Sequence, residues 1–89
     1  MEDRVRLNPG EAVRFMVGRS GLSYRAVSRL CGRASSWASV VGTPSRDPSL
    51  SAVCRVAEAC GFTVALMDAE GRPVAFLEAP GDEVAPERA

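Results

Sequence analysis

LSYRAVSRLCGRASSWASVVGT, residues 22–43, decides the fold. Ser23 is a natural helix N-cap, and Val27, Leu30 and Cys31 follow it as one inner stripe, which predicts a helix through Leu30. Ala26 and Ser28 are small enough for a close helix crossing. Gly32 then permits the positive φ that a sharp turn wants. A second helix is expected from about Ser35 to Val41. In it Ala34, Trp37, Ala38 and Val41 recur at i, i+3, i+4 and i+7 and should face inward, leaving Ser35, Ser36, Ser39 and Val40 on the other side. Helices this short cannot bury their own apolar faces. The flanking segments must supply the core.

Upstream, Asn8-Pro9-Gly10-Glu11 opens a helix, with Asn8 as cap, Pro9 at the first helical position and Glu11 closing a capping box. Ala12, Phe15 and Met16, with the stem of Arg19, form its apolar face, and Gly18 and Gly21 weaken and then stop it. Downstream, Gly42-Thr43-Pro44-Ser45-Arg46 is a loop. Asp47 as cap and Pro48 at the first position begin a further helix whose face is Leu50, Val53, Cys54, Val56, Ala57 and Cys60. Gly61 ends it, and Phe62 is placed for the hydrophobic contact of a Schellman-type end. Residues 62–67 (FTVALM) and 73–77 (PVAFL) then switch to strand formers, with a hairpin loop between them at Asp68-Ala69-Glu70-Gly71-Arg72. A two-stranded ribbon is marginal by itself in water, so it should fold onto the helices or pair with the same ribbon of a second subunit. The segment 79–89 (APGDEVAPERA) is acidic, carries two prolines and little apolar bulk, and is expected to be disordered.

Formal charge sums to zero but is strongly segregated. From Arg4 to Arg46 there are eight arginines against one acid, Glu11, whereas from Asp47 to Ala89 there are eight acids against three arginines. A basic half carrying the two short helices is what a nucleic-acid face with a non-binding back would produce. The chain has no His or Lys and no Gly-rich phosphate loop, which argues against an enzyme. Three cysteines, Cys31, Cys54 and Cys60, lie in apolar runs without a CxxC pair and read as reduced core thiols rather than zinc ligands. No cofactor is expected. Without a secretory apolar segment or an apolar run near the ~18 residues of a membrane span, the expected location is cytoplasmic.

The layout of the two short helices is that of a helix-turn-helix. Over about residues 8–61 the chain resembles the Cro/repressor-like (xenobiotic-response-element type) helix-turn-helix family. The resemblance rests on Leu22-Ser23 opening the second helix, on Ser28 four residues before Gly32, on inward Val27, Ala38 and Val41, and on PSLSAVCRVAEACGF (residues 48–62). The continuation FTVALMDAEGRP (residues 62–73) is similar to HipB-like antitoxins, in which a strand after the last helix pairs between subunits. Two positions depart from the family pattern: Arg33 stands where an apolar residue usually follows the turn glycine, and Gly42-Thr43-Pro44 replaces a Glu-x-Gly element. The first leaves the register of the third helix around Arg33-Ala34 open.

The resemblance implies a mainly α domain of four to five helices (residues 1–78), with a C-terminal β-strand or hairpin (about 62–78) for dimerisation and a separate tail (79–89). It implies a sequence-specific transcriptional repressor that binds double-stranded DNA as a homodimer, autoregulates, and is compatible with the antitoxin role. Recognition helices about 34 Å apart would read a pseudo-palindrome. Base contacts are expected from Arg33, Ser35, Ser36, Ser39, Val40 and Thr43, Arg33 alone being suited to bidentate guanine recognition. Phosphate contacts fall to Ser23, Arg25, Arg29 and Arg46 and to the N-terminal amides of helices 2 and 3. Arg4, Arg6 and Arg14 are candidates for an N-terminal arm. Phe62, Val64, Leu66, Val74 and Phe76 would form the dimer interface. The alternative is a protein-binding module whose main role is to hold a toxin or kinase-like partner.

Overall fold

In a computed structural model the chain is described for residues 5–80. Four helices come first in that span: α1 (Pro9–Ser20), α2 (Tyr24–Leu30), α3 (Trp37–Val41) and α4 (Leu50–Cys60). Strands β1 (Val64–Met67) and β2 (Pro73–Leu77) follow as an antiparallel hairpin. The mainly α architecture with a C-terminal hairpin is therefore as expected. The ribbon pairs within the chain.

Local chemistry sets most of the boundaries. At α1 the Asn8 side chain accepts from the Glu11 amide at 2.8 Å while the Glu11 carboxylate accepts from the Asn8 amide at 2.9 Å, the reciprocal capping box. Ser23 caps α2 through the Ala26 amide at 3.0 Å. Gly32, at φ 71°, closes α2 in a Schellman motif: the Arg33 amide donates to the Ser28 carbonyl and the Gly32 amide to the Arg29 carbonyl, both at 2.9 Å. At the end of α4 Gly61, at φ 83°, and Phe62 both donate their amides to the Ala57 carbonyl, Phe62 at 2.8 Å, and the Phe62 ring lies 6.4 Å from Phe15.

Two starts differ from the sequence reading. Helix α4 begins at Leu50 with Ser49 as its cap, not at Asp47-Pro48. Helix α3 is five residues long and starts at Trp37, because residues 33–36 are spent in the turn.

Val13, Met16 and Val17 of α1, Val27 of α2, Ala38 of α3, and Val53, Val56 and Ala57 of α4 form the core, with Cys31 among them. The buried stripe of α1 thus lies one position from the expected one, with Ala12 and Phe15 at its half-buried margin. Arg19 is exposed and holds its guanidinium 4.8 Å from the centre of the Phe15 ring. Leu30, Ala34 and Leu50, expected inward, are exposed. Leu30 and Leu50 sit in terminal turns, where the helix they belong to has outrun its neighbours.

The hairpin loop is organised by Asp68, which accepts from the amides of Arg72 and Glu70 at 2.9 Å and from Arg72 Nε at 3.3 Å. The hydrogen bond from the Arg72 amide leads in holding its carboxyl below the usual range, with the Glu70 amide and the Arg72 side chain adding to it. Stability from these bonds is present above the unfolded pKa and is lost as pH falls through the folded one. The expected disorder of the tail falls, beyond position 80, outside the described residues, and so does Arg4 of the expected N-terminal arm. Ala79 and Pro80 themselves are held against α4, the Ala79 amide on Glu58 and the Pro80 carbonyl on Arg55.

Among the described glycines, Gly10 is the one most tightly pressed by backbone. A Cβ there would collide with the Thr43 carbonyl oxygen and lie 3.2 Å from the Arg46 carbonyl oxygen. Both obstacles are backbone and cannot swing away. Gly10→Ala should therefore cost about 1–3 kcal/mol despite alanine's better helix propensity. Urea denaturation checks it, and a variant as stable as the parent would refute the close approach.

Candidate nucleic-acid interface

Position 28 decides how α2 and α3 meet. Ser28 is fully buried, donates to the Tyr24 carbonyl at 2.9 Å and accepts from the Ala38 amide at 2.8 Å. Serine is small enough to let α3 approach and carries the oxygen that an otherwise unpaired amide in the first turn of α3 needs. The Trp37 amide is likewise bound, to the Ala34 carbonyl at 2.9 Å. These two amides are thus occupied, which corrects the expectation that the start of the third helix offers free donors to phosphate.

With its inner side held by Ala38, α3 turns its other side to solvent. Arg33, Ser35, Ser36, Ser39, Val40 and Thr43 are all exposed. Ser39 Oγ donates to the Ser36 carbonyl at 2.9 Å and Thr43 Oγ1 to the Ser39 carbonyl at 3.2 Å, so both hydroxyls spend their protons on the backbone and retain acceptor capacity. Arg33 sits at the entrance of α3 with its guanidinium 5.6 Å from the centre of the Trp37 ring. Trp37 is half-buried against the core, as its spacing indicated. The ring carries the arginine rather than facing solvent by itself.

Of the residues expected at phosphates, Ser23, Arg25, Arg29 and Arg46 are exposed. They do not converge on one spot. Arg29 lies at the far end of α2, in a groove shared with α4 residues Arg55 and Glu58. Ser23 already spends its hydroxyl oxygen on the Ala26 amide. A depression of about 280 Å³ instead gathers Arg14, Tyr24, Ser39, Thr43 and Pro44, joining α1, the start of α2 and the end of α3. The sequence reading put Arg14 in an N-terminal arm; it lies instead within α1, on the side away from Phe15 and Arg19. Tyr24 was not singled out by sequence.

The electrostatics of this surface are one-sided. Residues 12–46 contain six arginines and no carboxylate. Among the described residues no ion pair engages Arg14, Arg25, Arg29, Arg33 or Arg46. Glu11, the nearest acid in sequence, has its carboxylate on the Asn8 amide in the cap. The cysteines add no reactive centre: burial pushes the thiols of Cys31, Cys54 and Cys60 up, which keeps them protonated at neutral pH.

No protein-family model, curated protein or solved structure matches this chain significantly.

Replacing Ser28 by alanine would leave the Ala38 amide buried without an acceptor, at a cost of about 1–3 kcal/mol. The loss should appear as a lower melting temperature together with a changed near-ultraviolet signal from Trp37, one residue from the broken bond. Parent-like melting and an unchanged Trp37 signal would show that the clamp is dispensable.

Proposed function

We propose that this protein is a sequence-specific DNA-binding transcriptional repressor that acts as a homodimer on a pseudo-palindromic operator. The carrying observation is the run of residues 12–46, which holds six arginines and no carboxylate and presents a row of exposed hydroxyls along α3. Arginines supply sequence-independent attraction to phosphates, and the short polar side chains of a rigidly seated helix supply contacts to base edges. In this reading α2 and α3 form the helix-turn-helix, and Arg33, Ser35, Ser36, Ser39, Val40 and Thr43 face the major groove. Arg14 and Tyr24 join Arg25 and Arg46 on the flanking backbone.

A single copy of so short a reading surface would discriminate poorly, and the hairpin supplies a reason for two. Register pairs Val64 with Leu77, Ala65 with Phe76 and Leu66 with Ala75. Val64 packs against the helices, as does Phe62 just before β1. Further out Leu66 is 51% exposed, and on the opposite face Val74 and Phe76 are 64% and 66% exposed. Apolar side chains grouped on a two-stranded ribbon with open edges fit a second copy of the same ribbon. Leu66, Val74 and Phe76 then carry the dimer contact, while Phe62 and Val64 brace the ribbon on its own core.

Two measurements test the two halves of this proposal. Selection from random duplexes, followed by titration between 50 and 200 mM salt, should yield a preferred palindrome whose affinity falls by about 10³ to 10⁵ for six to ten phosphate contacts. Arg33→Ala and Ser36→Glu should each weaken that binding tenfold or more with unchanged thermal melting; variants that bind like the parent would refute the reading face. Leu66→Glu, and Phe76→Glu on the other face, address the second half. At least one should sediment as a folded monomer where the parent is a dimer. Two dimeric variants would remove the hairpin from the interface.

A further inference from the structure

The groove at the far end of α2 is not part of the reading surface, and the described chain leads straight to it. It has a volume of about 490 Å³ and is lined by Arg29, Leu30, Gly32, Arg55, Glu58 and Ala59. Leu30 is 63% exposed there, an apolar side chain at the end of a helix without a cover among the described residues. After β2 the chain runs back along α4. Glu58 Oε2 accepts the Ala79 amide at 3.2 Å, and Arg55 Nη2 donates to the Pro80 carbonyl at 3.3 Å. Residues 81–89 therefore set out from the rim of the groove, next to two of its lining side chains.

Their sequence complements it. GDEVAPERA brings Asp82, Glu83 and Glu87 against a single Arg88, with Val84 as the first apolar side chain. We propose that residues 81–89 fold back into this groove, Asp82 and Glu83 against Arg29 and Arg55 and Val84 over Leu30. Reach is sufficient: four extended residues from Pro80 to Val84 span up to ~13 Å, whereas Arg55 and Ala59 are only about 6 Å apart along the α4 axis. Tethering at Pro80 presents the segment at an effective concentration in the millimolar range, above that of most free competitors. Glu58, with one oxygen on the Ala79 amide, keeps its charge, so the groove lining is net positive by one, Arg29 and Arg55 against Glu58.

The consequence for function rests on the repressor reading; the docking itself does not. Arg29 lies beside the reading surface rather than on it, so a segment that neutralises it lowers the positive field that DNA meets and acts as an internal competitor. Releasing the segment would raise affinity without altering which bases are read.

The test uses the full chain with Asp82→Asn and Glu83→Gln together, compared with the parent by ¹⁵N–¹H spectra in the absence of DNA. Resonances of Arg29–Gly32 and Arg55–Ala59 should shift in the variant, with those of α1 unmoved, and 0.5 M salt should shift the parent in the same direction. Unmoved groove resonances overturn the docking. Shifts that vanish on dilution would assign the groove to a second copy and overturn its occupation by the chain's own segment. For DNA, removing these two acidic charges should tighten binding by about three- to tenfold at low salt. Groove shifts with equal DNA affinity would leave the docking and overturn the competition.

Discussion

One hydroxyl governs the geometry on which any reading of this surface depends. The Ser28 oxygen joins the Tyr24 carbonyl of its own helix to the Ala38 amide of the next. A helix of five residues, such as α3, cannot hold itself together, because nucleation costs more than one turn of hydrogen bonds returns. Its structure is therefore imposed from outside. Below it the Ala38 methyl is buried in the core, and at its start a side chain of α2 takes an amide that the helix cannot satisfy internally.

The far end of α3 is fixed as firmly, by the absence of side chains. Gly10 at the start of α1 lets the Thr43 and Arg46 carbonyls lie against it, and Asn8 Nδ2 reaches the Pro44 carbonyl at 3.3 Å. Gly42 is similarly close-packed, where a Cβ would meet the Ala38 carbonyl oxygen at 3.1 Å and a Val13 methyl at 3.2 Å. Helix α1 is thus a bracket for the loop that leaves α3. Asn8 serves two purposes there: its side-chain oxygen caps α1 and its side-chain nitrogen ties down the loop. The short helix is held at both ends by groups in other elements. Its exposed residues acquire fixed positions without the helix being stable in isolation.

This division explains what the sequence could disclose. Caps and stops act within a few residues, so Asn8 with Glu11, Ser23, Gly32 and Gly61 with Phe62 all announced themselves. The start of α4 did not, because Asp47-Pro48 and Ser49 are competing signals of nearly equal strength and only the packing of Val53 and Val56 chooses between them. Leu30 looked like core because helical phase alone cannot show that α2 ends beyond its neighbours. The exposed arginines and serines were legible as a class, from charge segregation. Their grouping was not: Arg14 stands beside Ser39 and Thr43 through the packing of α1, which no local pattern encodes. Nor could spacing reveal that Arg29 points toward α4 while Arg25, on the same helix, does not line that groove.

The segregation of charge then takes on a physical role. Carboxylates among residues 12–46 would repel phosphate, and acids elsewhere are harmless to binding only if they stay about a Debye length away, roughly 8 Å at physiological salt. The acidic half comprises α4, the hairpin and the C-terminal segment. Asp68 and Glu70 are spent on the hairpin loop and on Arg72, and Glu58 on Ala79. Among the described residues the exception at the edge of the basic run is Asp47, exposed beside Arg46. A chain with this composition could have scattered the same charges and kept the same core, since none of the core residues is charged. The arrangement of charge is thus independent of what the fold requires. That independence is why the proposal of a nucleic-acid partner draws on the arrangement of charge rather than on the fold.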